Sequence, residues 1–403
     1  MHATDPALHH LVARIRAAAA DHLPLRIRGG GSKDFFGAHA ASGQALQGEV
    51  LDTTTLTGIV CYEPSELVVT VRAGTPLAEL EAVLAEQGQC LPFEPPHFSH
   101  GGAATVGGMV ATGLAGPARA SVGGVRDYVL GLQMLNGRAE HLIFGGQVMK
   151  NVAGYDVSRL MVGAMGTLGL LTEISLKVLP IAPSEATLVF EIGQPGALEQ
   201  LHRWGGQPLP LNASCWVHDP SAAGAAAGQG RDLLFVRLRG AVAAVEAACT
   251  AMLAQQAGTR MDNAQAQADW ILCRNQQLPF FVDKPAGELA LWRLSVAQTA
   301  PPFDLPWAQL VEWHGGLRWL WAPVDAAPQL QTLARSHGGS ATIFIAPSAY
   351  STRARGQFGL GNGTEAAQMA AATNATQAAI QHRLQASFDP HGIFNPGRLL
   401  PAA

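Results

Sequence analysis

Paired cysteines are missing from this chain of 403 residues. Its five cysteines, Cys61, Cys90, Cys215, Cys249 and Cys273, are scattered, and none belongs to a C-x-x-C pair. Iron–sulfur clusters and structural zinc draw on closely spaced thiolates, so neither is expected here. Fourteen histidines occur without an H-E-x-x-H. His97 and His100 have H-x-x-H spacing but follow Pro95-Pro96, in a loop where spacing fixes no shared face, so no metal is assigned. Apolar runs end at Gly, Pro or a charge well short of about 18 residues, which argues against a membrane-spanning helix. The formal net charge of −4 gives no basic surface for nucleic acid. Charged residues make up 14% and hydrophobic residues 48%, which excludes a disordered chain. No repeat is evident, and the start lacks the apolar core and cleavage site of a secretory signal. A cytoplasmic protein of two or three domains is expected, at most peripheral to the inner membrane.

Glycine is abundant, with 45 residues, and its placement is informative. Arg28-Gly29-Gly30-Gly31-Ser32-Lys33 follows a strand-like Leu23–Ile27. Three glycines free the backbone to turn N–H groups toward an anion, while Arg28, Ser32 and Lys33 add charge and donors. A flexible turn is the alternative. A second stretch, Gly101 to Gly116, is built from small residues. Thr105 and Thr112 offer hydroxyls there, and Gly107 to Gly113 can open a short helix whose N-terminus favours a pyrophosphate. Close helix–sheet packing selects the same residues, and both readings stay open. A third stretch contains Lys150 to Asp156 and then Gly166-Thr167-Leu168-Gly169, which brings bare backbone to a strand start. Two such loops suggest one large phosphate-bearing cofactor. On that reading a branched residue at Gly30 or Gly108 blocks the ligand and leaves the fold intact.

Around these loops the pattern is α+β. Asp5 and Pro6 start a helix with Leu8, Leu11, Val12 and Ile15 on one face. Glu66 to Gly74 reads as a strand, and Thr75-Pro76 caps a helix closed by Gly88. Tyr128–Leu135 and Ala139–Phe144 flank Asn136-Gly137 as a hairpin. Asp156 caps a helix through Val162, and Leu168 to Leu179 is a strand. From about 181, strand-like segments at 186–192, 213–217, 233–238, 289–296, 317–321 and 341–345 alternate with helices, the clearest at 241–256. This predicts an antiparallel sheet with helices on one face. A final helix carries Met369, Thr373, Thr376, Ile380 and Leu384 along one face. The domains are therefore expected at 1–180, 181–350 and a C-terminal segment, 351–403, returning to the first.

Taken in order, R-G-G-G-S, A-G-T-P-L-A-E-L, F-E-P-P, G-G-M-V-A-T, G-G-V-R-D-Y-V-L-G-L, K-N-V-A-G-Y-D, G-T-L-G-L-L-T-E and G-I-F-N-P-G-R resemble the FAD domain of the vanillyl-alcohol oxidase/p-cresol methylhydroxylase flavoproteins. The closer likeness is to the 2-hydroxyacid dehydrogenase branch and, through length and Glu312 to Leu320, to FAD-binding subunits of bacterial glycolate oxidases. The resemblance implies a two-subdomain FAD domain plus a cap-like α+β domain. It implies noncovalent FAD, because Ser32 stands where covalent members often place a His. It puts the pyrophosphate on Arg28, Gly29, Gly30, Gly31, Ser32 and Lys33, with Thr105, Gly107, Gly108 and Thr112 as a second wall. Gly166, Thr167, Leu168 and Gly169 would run beside the adenosine half, and Asn395 would reach the flavin region. The implied partners are a catalytic flavoprotein subunit and an iron–sulfur subunit that passes electrons to quinone, with a small 2-hydroxy acid as substrate.

Departures from the pattern limit the assignment. Catalytic members usually carry G-D-G-N-x-H and a histidine pair in the second domain. Here Gly361-Asn362-Gly363-Thr364 has neither the acid nor the His. His314 reads as packed among Trp313, Trp319 and Trp321. Arg353 and Arg355 read as a solvated loop, with a carboxylate grip as the alternative. No catalytic residue is named. A self-sufficient FAD-dependent dehydrogenase and a structural subunit with a vestigial pocket remain as rival functions.

Overall fold

The computed structural model describes residues 5–37, 46–98, 103–146, 156–220, 230–347 and 375–399. The sequence features at Lys150 to Tyr155, Arg353, Arg355, Gly361 to Thr364, His100, Met369 and Thr373 lie outside them. The chain divides into two compact units. The first comprises residues up to Leu114, Gly124–Pro180 and the C-terminal segment; the second comprises Ala115–Gly123 and Ile181–Pro347. Residues 115–123, placed by the sequence in the first domain, thus belong to the second unit. Trp313 draws them there: its indole N–H donates to the Gly116 carbonyl at 3.0 Å.

In the first unit a helix, Pro6–Asp21, starts where Asp5 accepts from the Ala7 N–H at 2.9 Å. Its buried face, Leu11, Ile15 and Ala18, packs on Leu25, Leu51, Leu135, Leu170, Ile393 and Phe394. Strand Leu25–Arg28 runs parallel to Glu49–Asp52. The C-terminal segment lies alongside: the Leu25 N–H donates to the Ile393 carbonyl, and the Asn395 N–H donates to the Leu25 carbonyl. The rest of the unit is built on an antiparallel sheet of Ile59–Glu63, Val68–Arg72, Leu170–Lys177, Val129–Leu135 and His141–Gly145, in that spatial order. The hairpin expected at Asn136-Gly137 joins the last two strands, but its loop runs over 136–140 and the second strand starts at His141 instead of Ala139. Three local expectations change. Thr75 does not cap helix Leu77–Glu86, because its hydroxyl accepts from the Gly58 N–H at 2.9 Å. Asp156 caps a shorter helix, Val157–Leu160, and pairs with Arg159. In the last helix, Ala375–Phe388, Ile380 is exposed instead of facing a core.

The second unit is an eight-stranded antiparallel sheet. Its spatial order is Thr259–Arg260, Ser184–Glu191, Arg231–Gly240, Leu211–Asp219, Gln309–Glu312, Leu317–Pro323, Leu289–Ser295 and Ser340–Ile345. Helices Gln194–Gly205 and Val242–Gln255 cover one face through Leu188, Phe190, Trp204, Trp216, Val236 and Met252. A further helix, Asn263–Arg274, corrects the expectation that all helices share that face. Its Trp270 donates to Thr187 and lies 4.8 Å from the Arg237 guanidinium, and both residues alternate to the opposite face. The sequence missed this helix because its glutamine-rich, weakly periodic run hides a single anchoring indole.

Asp5 also pairs with Arg72 at 2.7 Å. Burial pushes its carboxyl up, but the Ala7 N–H and the Arg72 charge outweigh that and hold it below its ordinary value. The resulting stability is present above the unfolded value near 3.9 and is lost as pH falls through the lower folded value. Asp5→Ala is expected to cost about 1 kcal/mol at neutral pH, and Asp5→Asn, which keeps the cap, less. Urea midpoints at pH 7 check this; equal midpoints for Asp5→Ala and wild type contradict it.

Candidate functional site

The parallel strand Leu25–Arg28 ends at three glycines, and the backbone that follows forms one wall of a cleft within the first unit. Gly30 lies directly on the carbonyl of Ala103, so close that a Cβ would coincide with it. Gly29 sits against the Thr105 hydroxyl. Gly31 takes φ +76°, and the Arg28 guanidinium folds over the space its side chain would need. Held this way, the N–H groups of Gly29, Gly30, Gly31 and Ser32 find no acceptor among the described residues. A run of donors left open along a cleft wall is an anion-binding arrangement, because unpaired amides are costly unless something accepts from them. Lys33 is buried, donates to Ser32 Oγ at 3.3 Å and lies 5.8 Å from the Phe98 ring centroid. Arg28 pairs with Asp34 at 2.7 Å.

The second wall is helix Val106–Thr112, capped by Thr105, whose hydroxyl accepts from the Gly108 N–H at 3.2 Å. The expectation that this N-terminus offers donors to a pyrophosphate is corrected. The Val106 N–H donates to the Thr75 carbonyl and the Gly107 N–H to the Ala73 carbonyl. Thr112 Oγ1 likewise donates to the Gly108 carbonyl at 2.8 Å. This wall therefore contributes shape. A Cβ on Gly107 would press on Ala73 at 2.9 Å, whereas one on Gly108 would meet only Thr105 Oγ1, at 3.2 Å. Gly108 is the position whose missing side chain opens the cleft.

The third wall contains Met161, Ala164, Met165, Gly166, Leu168 and Gly169. Gly166, at φ +73°, admits the Asn395 amide, which would lie 2.6 Å from an added Cβ. Asn395 works here as a clamp. Its Oδ1 accepts from the Ile27 N–H at 2.8 Å and its Nδ2 donates to the Met165 carbonyl at 2.7 Å. Thr167 is the one sequence-predicted site residue outside the lining, since its hydroxyl turns back to the Ala164 carbonyl at 2.7 Å. All the others line this cleft: Arg28 to Lys33, Thr105, Gly107, Gly108, Thr112, Gly166, Leu168, Gly169 and Asn395.

Sequence reading missed Arg398. It is buried on the cleft, donates to the Lys33 carbonyl at 3.0 Å, and its Nε has no partner among the described residues. Burial pulls its pKa down; Asp34 opposes that, and Arg26 and Arg28 add to it. An anion beside Arg398 would relieve both the desolvation and the repulsion. The Arg398 neighbour was legible only in G-I-F-N-P-G-R, whose Arg was quoted but given no role. Open amides, an orphaned guanidinium nitrogen and a glycine-opened wall fit a phosphate-bearing group.

Elsewhere, the described residues contain no cluster of His, Cys, Asp and Glu able to hold a metal. His97 pairs with Glu81 at 3.0 Å. In the second unit His314 is held by hydroxyls, Ser214 Oγ at Nδ1 and Ser121 Oγ at Nε2, both 3.0 Å. No ring contact to it occurs among the described residues, which corrects the packed-aromatic reading. Burial lowers its pKa to about 4, so it is neutral near pH 7.

The two glycine walls separate by mutation. Gly30→Val is expected to destabilise the chain even without flavin, because its Cβ collides with the Ala103 carbonyl. This corrects the expectation of an intact fold for that position. Gly108→Val is expected to keep the flavin-free melting temperature and lose the response to FAD. At about a hundred times its dissociation constant, FAD adds about 2.7 kcal/mol to a chain that binds it. Equal FAD-induced shifts in Gly108→Val and wild type would remove this wall from the site.

Residues 8–145 match the family model described as an FAD binding domain. The chain is 41% identical over 389 residues to glycolate oxidase subunit GlcE of Escherichia coli K12, covering 96% of both proteins. It is 32% identical over 179 residues to glycolate oxidase subunit GlcD of Bacillus subtilis, covering 44% of this chain and 37% of that protein. It is also 34% identical over 142 residues to D-lactate dehydrogenase of Anaerostipes hadrus, covering 35% of this chain and 29% of that protein. Among solved structures, p-cresol methylhydroxylase with substrate bound matches with TM-score 0.66 at 13% identity, over 97% of this chain and 87% of that one. That likeness shows the fold. The chain is an FAD-dependent oxidoreductase and belongs to the flavoprotein family that contains glycolate oxidase subunit GlcE.

Proposed function

We propose that this chain is the FAD-binding subunit of a complex that oxidises glycolate, a short 2-hydroxy acid, to glyoxylate. In this reading a second flavoprotein subunit and an iron–sulfur subunit of the same complex pass the electrons to quinone. The support is the 41% identity to a glycolate oxidase subunit across nearly the whole length of both chains, together with a cleft suited to a phosphate-bearing group. No described helix is long and apolar enough to cross a membrane. We place the complex in the cytoplasm, at the inner face of the membrane.

When bound, FAD would supply two-electron redox chemistry to the complex. Each group in the cleft then has a task. The Gly29 to Ser32 amides would donate to the pyrophosphate, and Arg398 and Arg28 would balance its charge. Lys33 would set the field at the closed end of that loop. Thr105, Gly107, Gly108 and Thr112 would keep the facing wall thin, and Gly166, Leu168 and Gly169 would lie beside the adenosine half. Asn395 would hold the strand and the Gly166 turn together, a positioning role. Ser32 offers no imidazole, so the flavin would be noncovalent. The first unit would hold the cofactor and the second would act as a cap.

Acid precipitation should release all the flavin into the supernatant. Yellow colour left on the pellet contradicts noncovalent binding.

Dye reduction by glycolate should be weak with the isolated FAD-loaded chain and restored when the second flavoprotein and the iron–sulfur subunit are added. Comparable turnover per flavin in both samples favours the self-sufficient dehydrogenase instead.

A further inference from the structure

In the second unit one arginine has no hydrogen-bond or ion-pair partner among the described residues. Arg293 stands on strand Leu289–Ser295 opposite Trp319. Its guanidinium lies 5.2 Å from the Trp313 ring centroid and 5.9 Å from that of Trp319. Among the described residues it makes no hydrogen bond and no ion pair. Glu312, the acid whose charge acts on it, is buried and engaged elsewhere: Oε1 accepts from the Cys273 thiol at 3.3 Å and Oε2 from the Trp319 indole at 2.7 Å. A second guanidinium, that of Arg119, lies 4.5 Å from the same Trp313 ring.

Two guanidinium groups, one half-buried and one exposed, converge on a single indole. Burial, and then the charge of Arg119, lower the Arg293 pKa to about 10, against the pull of Glu312. The indole faces offer cation–π attraction but no hydrogen-bond acceptor, so the planar fork of this half-buried guanidinium is left for solvent or an anion to satisfy. The platform beneath it is strained. Trp313 and His314 take φ +54° and +56°, left-handed backbone that residues with side chains rarely adopt. The Trp313 indole bond to the Gly116 carbonyl and the bond from the His314 N–H to Ser214 Oγ, both 3.0 Å, hold it. Strain kept in place by such ties fixes one indole at two arginines.

We propose that Arg293, with Arg119 beside it at Trp313, is a binding site for a small carboxylate. Resting on the function proposed above, it recognises the carboxylate end of a short 2-hydroxy or 2-oxo acid. A guanidinium fork matches a carboxylate through two parallel N–H···O bonds. Arg293 is then a specificity-determining residue, and Trp313 is a positioning residue that presents it.

The test uses the full chain, apo and FAD-loaded, titrated with oxalate, glycolate and inorganic phosphate. Tryptophan fluorescence and calorimetry report binding independently of turnover. Saturable oxalate binding is expected in wild type. Its dissociation constant should rise by about tenfold or more in Arg293→Met, which keeps the apolar stem. Arg293→Lys, keeping the charge without the fork, should fall between the two. The proposal is overturned if wild type shows no saturable oxalate binding, if Arg293→Met binds oxalate as well as wild type, or if phosphate binds and oxalate does not. Oxalate binding by a chain that takes up no FAD would keep this site and remove the flavoprotein reading. FAD uptake without oxalate binding would do the reverse.

Discussion

The cleft depends on one close approach. Gly30 rests on the carbonyl of Ala103, and no residue with a Cβ fits there. This contact sets the distance between the first glycine loop and the helix that Thr105 caps. With the loop pinned, four consecutive amides find no acceptor among the described residues. The same contact explains why the glycines are not equivalent. Gly30 and Gly107 are required by the protein's own backbone and side chains, and Gly108 by the space beyond it. The packing reading of the Gly101 to Gly116 stretch therefore holds at Gly107, while the ligand-access reading is proposed for Gly108.

The C-terminal segment completes the arrangement. Ile393 and Phe394 enter the core beside the first helix, and Asn395 bonds across to Ile27 and Met165. These apolar and backbone contacts carry Arg398 into a buried position near Arg26 and Arg28, which nothing in its local sequence would favour. A cationic cluster assembled at the expense of solvation is a standing demand for an anion. In the second unit a half-buried Arg293 and an exposed Arg119 meet at one tryptophan face.

Much of the fold was legible in the sequence where a period or a turn residue dictated it. The Asp5 cap, the Asn136-Gly137 hairpin and the helix closed by Gly88 follow from local rules. So do the alternating strands of the second unit. What escaped was decided by distant partners. Thr75 looked like a cap but bonds to Gly58. Thr167 lies between two cleft glycines yet turns to its own loop. Strand Gln309–Glu312 is short and mixed in character, and it exists because it fills a gap between two longer strands. The cleft was visible as three glycine stretches, but the donors were assigned too widely. Only the fold shows that the amides of helix Val106–Thr112 are already used.

In the proposed site the pyrophosphate would anchor the cofactor, held by the Gly29 to Ser32 amides and Arg398. Competition against FAD on the apo chain tests this most directly, using ADP, which carries the pyrophosphate without the flavin, and riboflavin, which carries the flavin without the pyrophosphate. The account predicts that ADP displaces FAD at concentrations where riboflavin does not. Displacement by riboflavin with ADP inert would contradict it.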